Sequence, residues 1–257
     1  MIYITGDTHA DFTRFSVDSF YEQKEMTNQD ENFMIITGDY GGVWDQEESK
    51  NEKWWLNWLE NKPFTTLFVD GNHENFARLS SYPMIKWNGG FVHVIRPHVL
   101  HLMRGQVFTI EDKKFFTFGG ASSHDIQDGI LDPNDYETYD DFREVWKQWY
   151  GENKMFRVKG ISWWPQELPT EEEMRTGKEN LAKHDNKVDF IISHSPSTSE
   201  LYLMGGKGLY EPDVLTNYLE EIKATTEYKK HIFGHMHTSK AINDKDICLY
   251  EQIVRIN

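Results

Sequence analysis

Ile2-Tyr3-Ile4-Thr5-Gly6-Asp7-Thr8-His9 opens the chain. Its apolar residues, ended by Gly and Asp, read as a buried strand whose chain then turns. Asp7 and His9 stand at i and i+2, so on an extended segment both side chains face the same way. The unit recurs. Phe33-Met34-Ile35-Ile36 leads to Gly38-Asp39, and Leu67-Phe68-Val69 to Gly71-Asn72-His73-Glu74. Phe190-Ile191-Ile192 leads to His194, and Ile232-Phe233 to Gly234-His235-Met236-His237. Glycine before Asp39, Asn72 and His235 permits sharp turns and close backbone approach. One such pair is a weak signal, since an isolated His-x-His is usually incidental. Five in order, most of them just after a strand-like run, predict an α/β fold with one site assembled at the strand ends.

The donors are two carboxylates, four imidazoles and one amide carbonyl. This mixed nitrogen and oxygen set suits a pair of first-row divalent metals, Mn, Fe, Zn or Ni, over calcium, which prefers oxygen alone.

The whole chain sets outer bounds. Donors that begin at residue 7 and end at residue 237 make one domain over 1–257 the economical expectation. Aromatic content of 14% excludes a disordered chain. A net charge of −15 without a dense Lys/Arg run disfavours long nucleic acid, which needs a basic stripe. The single cysteine, Cys248, excludes an internal disulfide framework and reads as a small buried residue. With no signal peptide and no apolar stretch near the roughly 20 residues that cross a bilayer, a cytoplasmic location without membrane contact is the expectation.

Spacing predicts a helix within Phe12–Met26 and another over Glu47–Glu60. In the second, Trp54, Trp55, Trp58 and Leu59 form an apolar stripe that reads as core. Short β-like runs at Phe91–Ile95, Val99–Met103, Val107–Ile110 and Phe115–Phe118 predict an antiparallel section that feeds a second sheet. The chain should close with paired strands around Thr238–Asn243 and Ile247–Ile256. Residues 120–176, acidic and aromatic, look inserted, as a cap over the site or a solvated excursion with its own small cluster. Glu171-Glu172-Glu173 after Thr170 reads as a helix start.

Gly6-Asp7-Thr8-His9, Gly38-Asp39, Gly71-Asn72-His73-Glu74, His194 and Gly234-His235-Met236-His237 together resemble the full signature of the calcineurin-like metallophosphoesterases. Asn72-His73-Glu74-Asn75-Phe76, Gly119-Gly120-Ala121 and Ser162-Trp163-Trp164-Pro165 are similar to small bacterial and phage members. The resemblance implies a four-layer α/β/β/α sandwich with a dinuclear metal site. By position, Asp7, His9 and His237 would hold one metal, and Asn72, His194 and His235 the other, with Asp39 bridging. It also implies hydroxide held between two divalent ions, Mn2+ first, attacking phosphorus. His73, left outside the ligand set, would be the general acid.

Two departures narrow the class. Protein phosphatases of this superfamily carry Asp-Arg-Gly after the second motif and an Arg before Gly-Asn-His-Glu. This chain has Gly41-Gly42-Val43 and Asp70 there, so the phosphate-clamping arginines are absent and His73 needs another orienting group, Glu74 or Asp45. Arg104 and Arg78 are the best-placed cations for a substrate phosphate, or else surface or ion-pair arginines. His101 and His124 could approach the site or serve as ordinary histidines nearby. Trp163 and Trp164 could stack on a nucleobase or pack within the insert.

The expected function is metal-dependent hydrolysis of phosphodiesters or phosphomonoesters, with small or nucleotide-like substrates first. The alternatives are a protein or nucleic-acid-end phosphatase or nuclease, and a catalytically silent metal-binding scaffold.

Overall fold

The computed structural model describes residues 1–205 and 211–256. The first third lays down β1 (Ile2–Thr5), β2 (Phe33–Ile36), α1 (Lys50–Glu60), β3 (Thr65–Phe68) and the one-turn α2 (Phe76–Leu79). Antiparallel β4 (Met84–Trp87), β5 (Gly90–Arg96) and β6 (Val99–Leu102) follow. The hairpin of β7 (Gln106–Ile110) and β8 (Lys113–Phe118) then opens a second sheet, as the closely spaced runs predict. Residues 120–176 hold the small parallel pair β9 (Gly129–Leu131) and β10 (Phe156–Val158), with α3 (Tyr139–Gly151) between them. The rest is α4 (Glu171–Ala182), β11 (Phe190–Ser193), α5 (Thr198–Gly205), α6 (Val214–Thr225), β12 (Lys230–Phe233), β13 (Lys240–Ala241), β14 (Asp246–Cys248) and β15 (Val254–Ile256).

One sheet has the order β15-β1-β2-β3-β6-β5-β4, the other β13-β14-β12-β11-β8-β7. Alternation along the strands builds the layers. Ile2, Ile4, Phe33 and Ile35 point between the sheets and meet Phe108, Phe115, Phe190, Ile192 and Ile232. Tyr3, Met34 and Ile36 face the other way, onto Phe12, Phe15, Phe64 and the α1 residues Leu56 and Leu59. On the second sheet Phe116, Phe118 and Ile191 face Leu181 of α4 and Leu215, Leu219 and Ile222 of α6. Strands covered on both faces need unbroken apolar runs, which is how four-residue strands were visible in the sequence. The result is a four-layer α/β/β/α sandwich. Among the described residues no helix is long and apolar enough to cross a membrane.

Register positions the site. Thr5 pairs with Ile36 and Ile36 with Phe68, so β1, β2 and β3 end level and their loops emerge side by side. Ile192 and Ile232 are likewise level in the second sheet.

Four expectations need correction. Phe12–Met26 forms only 3-10 turns at Thr13–Phe15 and Tyr21–Glu25. The Gln23 side-chain amide donates to the carbonyls of Phe15, Ser16 and Phe20, tying up acceptors that a helix would use. α1 starts at Lys50 because the Ser49 hydroxyl caps it, accepting from Glu52 N at 3.2 Å. Leu59 is buried beside Leu56, and Trp55 and Trp58 pack partly buried against the same cluster, but Trp54 is 56% exposed and leaves the expected stripe. Finally, Ile247–Ile256 is two strands. β14 pairs with β13, but β15 crosses to the other sheet and runs antiparallel to β1.

The helix start at Thr170 is a reciprocal capping box with Glu173. Residues 120–176 carry an apolar cluster of their own, Leu131, Phe142 and Val158 with Trp149 and Phe156 against them. They also touch the loop after Asp39: Gln46 Nε2 donates to Gly160 O at 2.9 Å, and Trp44 meets Trp164 edge-on with ring centroids 5.8 Å apart.

Beneath β11 and β12 lies a buried ionic network. Lys223 Nζ is 2.5 Å from Glu200 and 3.0 Å from Asp246, and His231 Nδ1 is 2.8 Å from Glu200. Glu200, His231 and Asp246 alone could suggest a metal site, but the ammonium already occupies the cation position between the two carboxylates. Burial opposes the charge of Glu200, yet His231 and Lys223 outweigh it and hold the carboxyl well below the usual range. A folded-state pKa below the unfolded value of about 4.3 means this stabilisation is complete above that pH and fades as pH falls below it. Glu200→Gln should cost about 3–5 kcal/mol at pH 7, because it leaves Lys223 buried and half-paired. Its melting temperature should also fall less than that of the wild type between about pH 5 and pH 3. Parallel melting profiles for the two proteins would remove Glu200 as the acid-sensitive group.

Candidate metal centre

All five motif loops meet where the two sheets come together. Asp7 and His9 follow β1, Asp39 follows β2, Asn72 and His73 follow β3, His194 follows β11, and His235 and His237 follow β12. The backbone is unusual there. His9, Asp39, His235 and His237 all have φ between 44° and 66°, the left-handed region that non-glycine residues rarely enter. Such strain persists only where the surroundings over-determine it, and it clusters at functional sites.

The side chains converge. His9 Nε2 and His237 Nε2 are 3.0 Å apart, and His237 Nε2 is 3.3 Å from Asp7 Oδ2. Asp39 Oδ2 lies 3.7 Å from His9 Nε2, while Asp39 Oδ1 lies 3.3 Å from His194 Nε2. Donor atoms of Asp7, His9, Asp39 and His237 all fall within 4.8 Å of one another. His237 is half exposed, so the centre opens to solvent on that side.

Two glycines make the approach possible. Gly38, with φ +95°, has the His194 ring where its Cβ would be, and at Gly71 a Cβ would run into the Asp39 carboxylate.

The donors fit divalent cations. His194 Nδ1 donates to Thr37 O at 2.8 Å, which fixes the ring and turns Nε2 inward. Asn72 Nδ2 donates to Ser123 Oγ at 3.2 Å, which turns its carbonyl oxygen to the site. Both inward atoms, His194 Nε2 and Asn72 Oδ1, are buried and lack a hydrogen-bond partner among the described residues. A buried polar atom left so is costly unless something else meets it.

Electrostatics agree. Burial opposes ionisation of Asp39, but His194, with His73 and His9 behind it, holds the carboxyl far below the usual range. Burial likewise disfavours charge on His194, yet Asp39 and Asp7 push its pKa up to about 9. His235 goes the other way, down to about 3, through burial and then the neighbouring His194. The carboxylates thus favour charge on His194 and His237, while burial outweighs them at His9 and His235.

The remaining sequence candidates separate into near and far. His124 lies beside His235, ring centroids 6.2 Å apart, on a cleft of about 320 Å3 that Ser122, Ser123 and Ser195 also line. Arg104 is held elsewhere, its Nε and Nη2 on Asp70 Oδ2 and Nη2 also on Gln166 O. His101 Nε2 bonds the other Asp70 oxygen at 3.1 Å. Arg78 pairs with Glu52 through Nη1 at 2.7 Å. In all three the ion-pair or supporting alternative is what the structure shows. Trp164 is buried against Trp44, and Trp163 sits half-buried within the insert.

Neither expected partner orients His73. Glu74 Oε1 accepts from Tyr40 N at 2.7 Å, and its burial, with Asp39 nearby, raises its pKa well above normal. Asp45 is exposed. Instead the His73 backbone N–H donates to Asp39 Oδ1 at 2.8 Å, and Arg157 Nη2 approaches His73 Nε2 at 3.1 Å. Burial, against Asp39 but with Arg157, lowers the His73 pKa to about 4. Trp44 stands beside His73, ring centroids 5.8 Å apart, and with His9 they line a second cleft of about 260 Å3. Sequence reasoning missed Arg157, Ser123 and Trp44. Only Trp44 left a trace, standing two residues after Gly41-Gly42. A larger cavity, about 590 Å3, is lined by Arg14, Glu22, Glu251 and Arg255 and touches none of the candidate ligands.

Nitrogen and oxygen donors gathered at the strand ends of this sandwich suit the class of metal-dependent hydrolases. A family model for calcineurin-like phosphoesterases matches residues 1–239, and the chain belongs to that family. It is a metal-dependent phosphoester hydrolase. No curated protein matches the chain in sequence. Among solved structures, the crystal structure of phosphopantetheinyl hydrolase (PptH) from Mycobacterium tuberculosis is similar at TM-score 0.47 and 12% identity, over 97% of this chain and 87% of that one.

Gly71→Ala should push the Asp39 carboxylate out of place and weaken Mn2+ binding about 10–100-fold, as loss of a ligand's support does elsewhere. Titration calorimetry reads this directly. Unchanged affinity in a folded variant would show that the close packing at Gly71 does not position the centre.

Proposed function

We propose that the enzyme works with two divalent cations, Mn2+ first, on small phosphoesters. Asp7, His9 and His237 would hold one ion, and Asn72, His194 and His235 the other. The observation that carries this is the placement of Asp39, one oxygen facing His9 and the other facing His194. Two buried atoms that make no hydrogen bond among the described residues, His194 Nε2 and Asn72 Oδ1, belong to the second set. Cations bound there supply Lewis acidity towards phosphoryl oxygens and ionise water near neutral pH.

The chain's own groups do the rest. His73 faces the Trp44 cleft. Its pKa of about 4 means that it must first take up a proton from solvent, which the negative charge of a bound ester favours. It would then pass that proton to the departing oxygen. Trp44 offers a flat face to a planar leaving group, which favours nucleotide-like esters. The two clefts border opposite ligand sets, one at His9 and His73 and the other at His235. That supports a diester with a substituent in each, and a monoester would fill one. The acidic charge of the chain disfavours long polyanions.

The direct test is Mn2+-loaded protein against bis(4-nitrophenyl) phosphate, 4-nitrophenyl phosphate and a panel of cyclic and linear nucleotides, with Asp39→Asn as control. Metal-dependent turnover that the control loses is expected. None on any ester would move the protein to a silent metal-binding scaffold. His73→Ala should keep its metal and lose about 10²–10⁴-fold on alkyl esters, with little loss on nitrophenyl esters. Trp44→Ala should weaken nucleotides by about 1–3 kcal/mol in KM and leave alkyl phosphates unchanged. An equal effect on both ligand types would rule out stacking.

A further inference from the structure

The geometry points to Arg157, on β10 of the inserted segment, as the side chain that anchors the substrate's phosphoryl group. This rests on the phosphoester hydrolase reading above and adds the residue that grips the anion.

Arg157 is 7% exposed and held on three sides. Its Nε donates to Asp125 Oδ1 at 2.6 Å and its Nη1 to Ser162 O at 2.9 Å, both partners within the insert. Those two bonds aim the third nitrogen, Nη2, at His73 Nε2, 3.1 Å away. A guanidinium can only donate, so the imidazole nitrogen is here the acceptor. A phosphoryl oxygen carries negative charge and accepts more strongly than a neutral ring nitrogen. An ester entering beside His73 therefore takes over the Nη2 donor and leaves the ring nitrogen facing the departing oxygen.

Charge balance selects Arg157 over its rivals. Arg104 is neutralised by buried Asp70, and Arg78 by buried Glu52. The Asp125 side chain is 42% exposed, so water screens that pair and the guanidinium keeps more of its field. The open side of the centre, at His9 and His237, lies next to His73, whose ring is 5.0 Å from that of His9. A phosphate bound at the donor cluster is thus within reach of a cation that arrives from outside the motif loops.

The test measures the affinity of inorganic phosphate for the Mn2+-loaded protein by calorimetry, alongside KM for a nitrophenyl and an alkyl ester of phosphate. Arg157→Ala should weaken phosphate about 10–100-fold and raise KM by a similar factor on both esters, as loss of a charge-assisted hydrogen bond does. Arg157→Lys should recover part of the loss, keeping the charge without the fork. Phosphate should also protect Arg157 of the wild-type protein from phenylglyoxal, a readout that needs no variant to fold. Unchanged phosphate affinity in Arg157→Ala, or modification at the same rate with and without phosphate, would overturn the assignment. So would a loss confined to the alkyl ester and absent when His73 is already alanine, since Arg157 would then only orient His73. A wild-type protein active on esters separates these failures from failure of the function itself. One that is inactive and blind to phosphate would take both down.

Discussion

Everything at this centre follows from carboxylates buried where, among the described residues, no ammonium or guanidinium pairs with them. The protein buries acid elsewhere and answers it in two other ways. Asp70 and Glu200 each receive a cationic side chain, Arg104 and Lys223. Glu74 and Glu167 are pushed upward by burial, Glu167 to about 8, so both can stay neutral. Asp39 has neither remedy. Held between His9 and His194 it remains ionised, with charge on His194 as the chain's own answer and divalent cations as the one proposed above. In the proposed centre, ions from solution would meet most of the cost of that buried charge.

The same demand explains the shape of the loops. Five segments must bring short side chains to one point, and level strand ends alone do not achieve that. The left-handed turns at His9, Asp39, His235 and His237 do. Glycines at 38 and 71 admit neighbouring side chains where a methyl group would sit. Strain in the loops and rigidity in the sheets are parts of one arrangement, since the strain persists only because the strands beneath are buried on both faces.

What the sequence showed and what it hid divide along physical lines. The donor residues were legible because each stands a few positions from a buried strand, and local pattern fixes both. Arg157 and Ser123 were not, because nothing local marks a residue that reaches the site from a distant segment, and Trp44 left only its place just after Gly41-Gly42. Arg104 and Arg78 looked suited to phosphate until Asp70 and Glu52 proved to be packed against them, a fact of tertiary contact alone. The helix expected at Phe12–Met26 failed for a similar reason, since Gln23 supplies the hydrogen bonds that propensity assigns to helical backbone. β15 was legible as a strand but not as a strand of the other sheet, because periodicity does not choose a partner.

The reach of the ligand set along the chain has a consequence for how the molecule holds together. Asp7 accepts from the backbone of His235, 228 positions away. An ion shared by those two loops, as proposed above, would tie the beginning of the fold to its end, across a span that would be costly to close in the unfolded chain. The lone Cys248 cannot form such a tie. Coordination would do the work of a staple there, and one that can be undone: a chelator would loosen the fold as well as silence the enzyme, because ions that bind only the native state draw the population towards it.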